Sequence, residues 1–247
     1  MKITSTLILA LMIQFASGQI KEDQFFVFDL DWKPTKIKKA YYFLRVRQSS
    51  DSNYEWTYYQ MNGPRIKQEC FKDEKASIRN GKFTYYFQNG VIDSTGEYEN
   101  DQINNLWSYG DPDGKIKRRK EFRMGLLIKD TSFEEIHLAK NPLLKTGDTE
   151  SDYPGGVKGW QNYLLHNLHY PDRAVNAEIM GDVLVRFVID SDGTVLKPEI
   201  FHSVEYSLDE EALRIILNSK KWSPEVHSGK KVKSYKVQPI RFRLQKG

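Results

Sequence analysis

The sequence predicts an α+β protein: an N-terminal antiparallel β-meander followed by a C-terminal domain of three antiparallel strands with helices. Three observations predict it. Paired aromatics followed by Asn-Gly or Asp-Gly steps recur from Tyr54 to Phe122, apolar residues switch to helical spacing after Asp152, and the tail alternates strand and helix patterns.

The first 18 residues read as a secretory leader. Lys2 supplies a positive start, Ile3 to Phe15 an apolar core, and Ala16-Ser17-Gly18 a small-residue cleavage site, so that the mature chain begins at Gln19. The apolar run falls short of the roughly 20 residues needed to cross a bilayer, which leaves an uncleaved anchor as the alternative. Residue 19 is Gln and not Cys, so lipid attachment to an N-terminal cysteine is not indicated. The expected product is exported, to the periplasm, or held at the inner membrane if the leader stays. Cys70 is the single cysteine, so no intramolecular disulfide framework exists and stability must come from burial.

Residues 19–140 are expected to form the meander. Tyr58-Tyr59-Gln-Met-Asn62-Gly63 returns as Tyr85-Tyr86-Phe-Gln-Asn89-Gly90, and more loosely as Trp107-Ser-Tyr109 followed by Asp113-Gly114. Asn-Gly and Asp-Gly accept the positive φ angles of hairpin turns, and aromatic side chains suit a pleated, half-buried surface. The copies are about 23 to 27 residues apart, a spacing at which each unit can bury its aromatics against the next. Tyr41 to Val46 alternates enough to add a strand or two upstream. The stretch Gly81-Lys-Phe-Thr-Tyr-Tyr-Phe-Gln-Asn-Gly90, with Gly96-Glu-Tyr98 and Trp107 to Lys115, resembles the MORN-like repeats of bacterial exported proteins. That resemblance implies a spacer or binding surface and no chemistry. Hairpin signals fade between Leu126 and Thr149, and residues 141–150 are expected to be a linker, because Pro142, Gly147 and Asp148 interrupt any period.

Residues 151–247 form the expected C-terminal domain. Val157, Trp160, Leu164, Leu165 and Leu168 predict a helix, which Pro171 ends by disfavouring helical angles at Tyr170; Pro171 then suits the first position of a shorter helix through Ala177. His166 and His169 flank this break, with no third ligand at a recognised spacing, so packing or surface roles are preferred to a metal site. Val183, Val185, Phe187 and Ile189 take one face of a strand, Asp190-Ser-Asp-Gly193 turns it, and Thr194 to Ile200 returns as the partner strand, with Pro198 placing it at an edge or a bulge. Ser207 and Glu210 predict a capping box for a helix through about Lys220, with Leu208, Ala212, Ile215 and Ile216 as its apolar stripe, closed by Trp222-Ser-Pro224. In the last strand, Lys233 to Leu244, Tyr235 and Val237 are out of phase with Ile240, Phe242 and Leu244, which predicts a β-bulge at Gln238-Pro239.

Six pieces in order, Tyr153-Pro-Gly-Gly156, Tyr170-Pro-Asp-Arg-Ala174, Gly181 to Gly193, Leu208-Asp-Glu-Glu-Ala-Leu213, Lys221-Trp-Ser-Pro224 and Pro239-Ile-Arg-Phe-Arg-Leu244, resemble the C-terminal domain of the TonB family. The resemblance implies a domain that grips the Ton box of an outer-membrane transporter by adding it to a free sheet edge. On that basis the peptide-binding residues are Ser234, Tyr235, Lys236, Val237, Gln238 and Ile240, with Lys230, Lys231, Lys233 and Lys236 either discouraging self-pairing or steering an acidic segment. The implied partners are a TonB-dependent outer-membrane transporter, and ExbB and ExbD if the chain is anchored. The leader and β-region stand where a TonB transducer has a transmembrane helix and a proline-rich spacer.

A homodimer through the same edge is the alternative. The net charge of +4 is mild, and the basic run Lys115 to Lys120 reads as a solvated strand and turn without a nucleic-acid recognition pattern. No Gly-x-Ser-x-Gly elbow or Cys-His pairing suggests an enzyme, and no cofactor or metal is expected. Turn and helix-start chemistry accounts for Asp190, Asp192, Asp209, Glu210 and Glu211.

Overall fold

The computed structural model describes residues 22–49, 53–132 and 148–244. The leader and all but the end of the expected linker lie outside them. Nine antiparallel strands follow one another in chain order as a single sheet: β1 (Gln24–Phe28), β2 (Tyr42–Gln48), β3 (Tyr54–Gln60), β4 (Arg65–Phe71), β5 (Gly81–Tyr86), β6 (Ile92–Glu99), β7 (Gln102–Gly110), β8 (Ile116–Arg123) and β9 (Leu126–Ser132). The predicted turn dipeptides sit at the β3–β4, β5–β6 and β7–β8 hairpins, where Gly90 and Gly114 adopt φ of +84° and +81°. Beside each turn the register slips by one residue, at Tyr58/Tyr59, Tyr85/Tyr86 and Tyr109/Gly110, so each hairpin closes through a bulge. The meander fits the repeat expected from the sequence. It also runs further, because Leu126 to Ser132, where the hairpin signal fades, pairs with β8 through the turn at Met124-Gly125.

The two faces of this sheet differ in chemistry. On one, Trp56, Phe71, Phe83, Tyr98 and Trp107 meet edge to face in a chain across five strands, with ring centroids 5.8, 5.6, 4.7 and 5.5 Å apart. Gly96 carries the Trp107 indole directly, since a Cβ there would lie 2.2 Å from the ring. On the other face a polar row crosses strand by strand: Arg45, Thr57, Gln68, Thr84, Thr95, Ser108 and Arg119 stand opposite one another in register. Thr57 and Thr84 in that row are buried because the C-terminal part of the chain lies on it.

That part comprises α1 (Gly156–Asn167), α2 (Asp172–Asn176), β10 (Gly181–Ile189), β11 (Val195–His202), α3 (Tyr206–Leu217), a small hairpin of β12 (Glu225–His227) and β13 (Lys230–Val232), and β14 (Ser234–Phe242). The sheet order is β11-β10-β14, antiparallel throughout. As the alternation predicts, Val183, Val185, Phe187 and Ile189 share one buried face with Ile200, Ile240 and Phe242, packed on Leu208, Ala212, Ile215 and Ile216 of α3. Trp160 of α1 and Trp222 complete this core, the latter edge-on to Phe187 at 5.1 Å. Among the described residues no helix is long and apolar enough to cross a membrane.

Four local expectations are corrected. The stripe of α1 is Trp160, Tyr163 and Leu164, while Val157 and Leu165 face solvent, because Tyr163 supplies an aromatic surface that the aliphatic count overlooked. Pro171 is the residue that caps α2, not its first helical position, and its extended backbone precedes Asp172. The cap of α3 is Glu205, whose carboxylate accepts the Ser207 amide at 2.8 Å; the helix begins at Tyr206 and ends at Leu217, ahead of the Ser207 and Lys220 expected. No bulge interrupts β14 against β10, for the pairing runs unbroken from Ser234–Ile189 to Phe242–Gly181. The apolar residues change phase because Tyr235 and Val237 lie on the solvent face, and Lys236 takes the inward position, its ammonium 5.5 Å over the Trp222 ring.

Candidate functional site: an open edge beside a charged clasp

The two edges of the three-stranded sheet have different fates. At β11, His202 bridges Val91, the Ser203 amide donates to the Gly90 carbonyl at 2.8 Å, and the Tyr86 hydroxyl donates to the Ile200 carbonyl at 3.0 Å. The β5–β6 turn thus closes that edge where β11 ends. A kink at Lys197 (φ +50°) and the missing amide of Pro198 blunt the rest. On the outer side of β14, no strand pairs among the described residues.

Proline fixes the direction of the β14 amides. Pro239 has no N–H yet sits in unbroken register opposite Leu184. That is tolerated where the N–H would point away from the ladder. Amides alternate sides along a strand, so those of Tyr235, Val237 and Arg241 point outward with Pro239's side of the chain, and those of Lys236, Gln238 and Ile240 turn to β10. The six residues singled out in the sequence therefore share one strand but not one face. Tyr235 is 80 % exposed and Val237 43 %, whereas Ser234 and Ile240 are buried. Lys236 donates to the Ser151 carbonyl at 2.6 Å, so it is a packing residue and not a charge flanking the edge; Lys230 and Lys231 belong to β13.

Past the end of β11, the meander and α3 are joined by a buried charge network. Arg65 donates to Asp209 at 3.0 Å, and Ser203 links them by donating its hydroxyl to Asp209 at 2.6 Å and accepting the Arg65 amide at 2.8 Å. Glu210 is held by Arg45 at 2.7 Å and Arg47 at 3.1 Å. Arg173 reaches from α2 to Glu205 and to the Met61 carbonyl. Around these charges the Tyr206 ring stands edge-on to Phe25, Phe43 and Tyr59, at 5.7, 5.6 and 5.5 Å. Asp209 and Glu210 are thus cross-sheet partners, where the sequence pointed only to helix-start chemistry. No local signal marks them, since their partners Arg45 and Arg65 lie on distant strands.

Burial pushes the Asp209 carboxyl up to about 6, against the pull of Arg65 and of the Ser203 and Val204 hydrogen bonds. The folded value lies above the 3.8 of an unfolded aspartate, so the stability this group contributes is full below about pH 4 and is lost as pH rises through about 6. Urea unfolding of wild type and Asp209→Asn between pH 4 and 7 is expected to show the wild type losing ground relative to the variant across that window. A constant difference would refute the assignment.

The histidines and the cysteine singled out in the sequence have structural surroundings. His166 Nδ1 meets the Asn162 carbonyl at 2.8 Å at the end of α1, and the His169 amide donates to Glu211 at 2.7 Å beyond the break, so the histidine pair serves the helix turn. Burial in β4 pushes the Cys70 thiol up to about 12, which keeps it protonated at neutral pH. No group of His, Cys, Asp and Glu that could hold a metal occurs among the described residues.

The C-terminal part is thus a small three-stranded α+β unit whose last strand has no paired neighbour on its outer side among the described residues. Residues 166–244 match the family model described as Gram-negative bacterial TonB protein C-terminal, and the chain carries a TonB C-terminal domain. No curated protein and no solved structure gives a significant match. The matched span runs from the end of α1 to the end of β14, and the strands of the meander lie outside it.

Proposed function

We propose that this protein is an exported, non-enzymatic binding protein of TonB-dependent transport, in which β14 receives the Ton box of an outer-membrane transporter as an added strand. The carrying observation is the open side of β14, with outward amides at Tyr235, Val237 and Arg241 and exposed side chains at Tyr235 and Val237. Main-chain hydrogen bonds supply affinity there and alternate side chains supply choice. The TonB domain supports this partner class and a periplasmic setting. The meander takes the place of a spacer, and ExbB and ExbD enter only if the leader is retained as an anchor.

Val237→Pro tests the reading. Because the Val237 amide points outward, proline removes a docking donor and leaves the β10 ladder intact. Titration with a Ton-box peptide is expected to show at least a tenfold loss of affinity with an unchanged melting temperature. Equal affinity would exclude β14 as the docking strand, and a dimer in size-exclusion chromatography that peptide does not dissociate would favour self-pairing of this edge.

A further inference from the structure

We infer that Arg119, a residue of the meander, reads a carboxylate on the segment that β14 receives. The inference rests on the strand-addition reading and adds to it a choice among partners. Its geometry begins on the face of the small sheet opposite the helices. There Glu199 of β11, Arg186 of β10 and Val237 of β14 lie side by side in register. A strand added beyond β14 would place one side chain next to Val237 on this same face, about 10 Å from β10, or two strand spacings.

The meander's polar face leans over this row. Lys82 of β5 pairs with Glu199, Phe201 lies against Gly114, and Arg186, Phe201 and Ser108 share the walls of a narrow cleft between the sheets. Tyr235 and Val237 are exposed, so the β14 side of this face is open to solvent.

Arg119 stands opposite Ser108 on that polar face. Its charge also acts on Arg186, which places the two guanidiniums within electrostatic reach of each other. Three cations near it have acids: Arg186 pairs with Glu199 at 2.7 Å, Arg118 with Asp130 at 2.5 Å and Lys117 with Asp111 at 3.1 Å. Arg119 makes no ion pair among the described residues, and its Nε is buried without a hydrogen-bond partner. Lys82 and Arg186 share the one carboxylate of Glu199, Glu97 acts on Lys82, and Arg119 adds a further positive charge near Arg186. The cleft is therefore short of negative charge, and an incoming aspartate or glutamate supplies it. A guanidinium fork favours a carboxylate over a neutral amide by charge-assisted, two-pronged hydrogen bonds.

Two synthetic probes test this, Val-Thr-Val-Glu-Val-Thr-Val and its glutamine counterpart, titrated against the full chain by fluorescence anisotropy. Wild type is expected to prefer the glutamate peptide at least fivefold, with the preference shrinking at high salt. Arg119→Gln should bring that preference to unity without weakening the glutamine peptide, and Arg119→Glu should transfer it to a lysine peptide. Val237→Pro should weaken both probes alike. A preference that survives Arg119→Gln, or a wild type that binds both probes equally, overturns the role of Arg119 while strand addition stands. Binding of neither probe removes strand addition and this inference together.

Discussion

Replacing Arg65 with alanine is expected to destabilise the protein by about 3 to 5 kcal/mol, the range for stripping one partner from a buried ion pair. Asp209 is fully buried and Arg65 nearly so, and Arg65 also lies 3.6 Å from Glu210. Without the guanidinium, Asp209 keeps only the Ser203 hydroxyl and the Val204 amide, so it must be protonated or bring in water. The Arg65 amide would remain bonded to Ser203, so the loss reports on the side chain. Urea unfolding at pH 7 measures it directly. Asp209→Asn should cost much less at that pH, because it removes the charge whose burial is unfavourable and leaves Arg65 beside Glu210. Equal penalties for the two variants, or an Arg65→Ala penalty below about 1 kcal/mol, would show that the clasp does not hold the halves together.

The second large effect is expected at Gly90. Its φ of +84° is one that other residues adopt with strain, and a Cβ would lie 2.1 Å from the Ser203 carbonyl oxygen. Alanine therefore forces the β5–β6 turn away from β11 and breaks the hydrogen bond from the Ser203 amide. The expected cost is about 3 kcal/mol, adding roughly 1 kcal/mol or more of backbone strain to a lost buried hydrogen bond and its unsatisfied groups. Gly125 provides the control, with φ of +85° and open space, nothing within 4 Å, where a Cβ would stand. Gly125→Ala should carry the strain alone, about 1 kcal/mol. If the two glycine variants lose the same stability, the contact between turn and β11 contributes nothing.

Much of the architecture was legible because its signals are local. Asn62-Gly63, Asn89-Gly90 and Asp113-Gly114 fix hairpins through backbone freedom alone, and Val183 to Ile189 fixes a strand by strict alternation over one buried face. Pro171 ended α1 for the same reason. The misreadings came where a long-range neighbour decides. Tyr235 and Val237 looked like core residues displaced by a bulge, whereas they face solvent and Lys236 turns inward with its ammonium over Trp222. Val157 and Leu165 obeyed helical spacing and still stayed outside, since Tyr163 fills the inward face of α1. The strand proposed as the docking edge was visible in the sequence, but which of its residues point outward was not. The clasp was not legible either, because Arg45 and Arg65 lie well over a hundred residues from Glu210 and Asp209.

The closure of β11 by the chain's own turn also limits arithmetic. A sheet with two free rims can be extended from both sides and so propagate from molecule to molecule, as fibres do. Here the kink at Lys197, Pro198 and the Val91–His202 bridge blunt one rim and leave β14 as the rim without a paired strand among the described residues. On the proposed reading the small sheet is an end-stopped ladder, which would take one guest strand per molecule and not hand the pattern on.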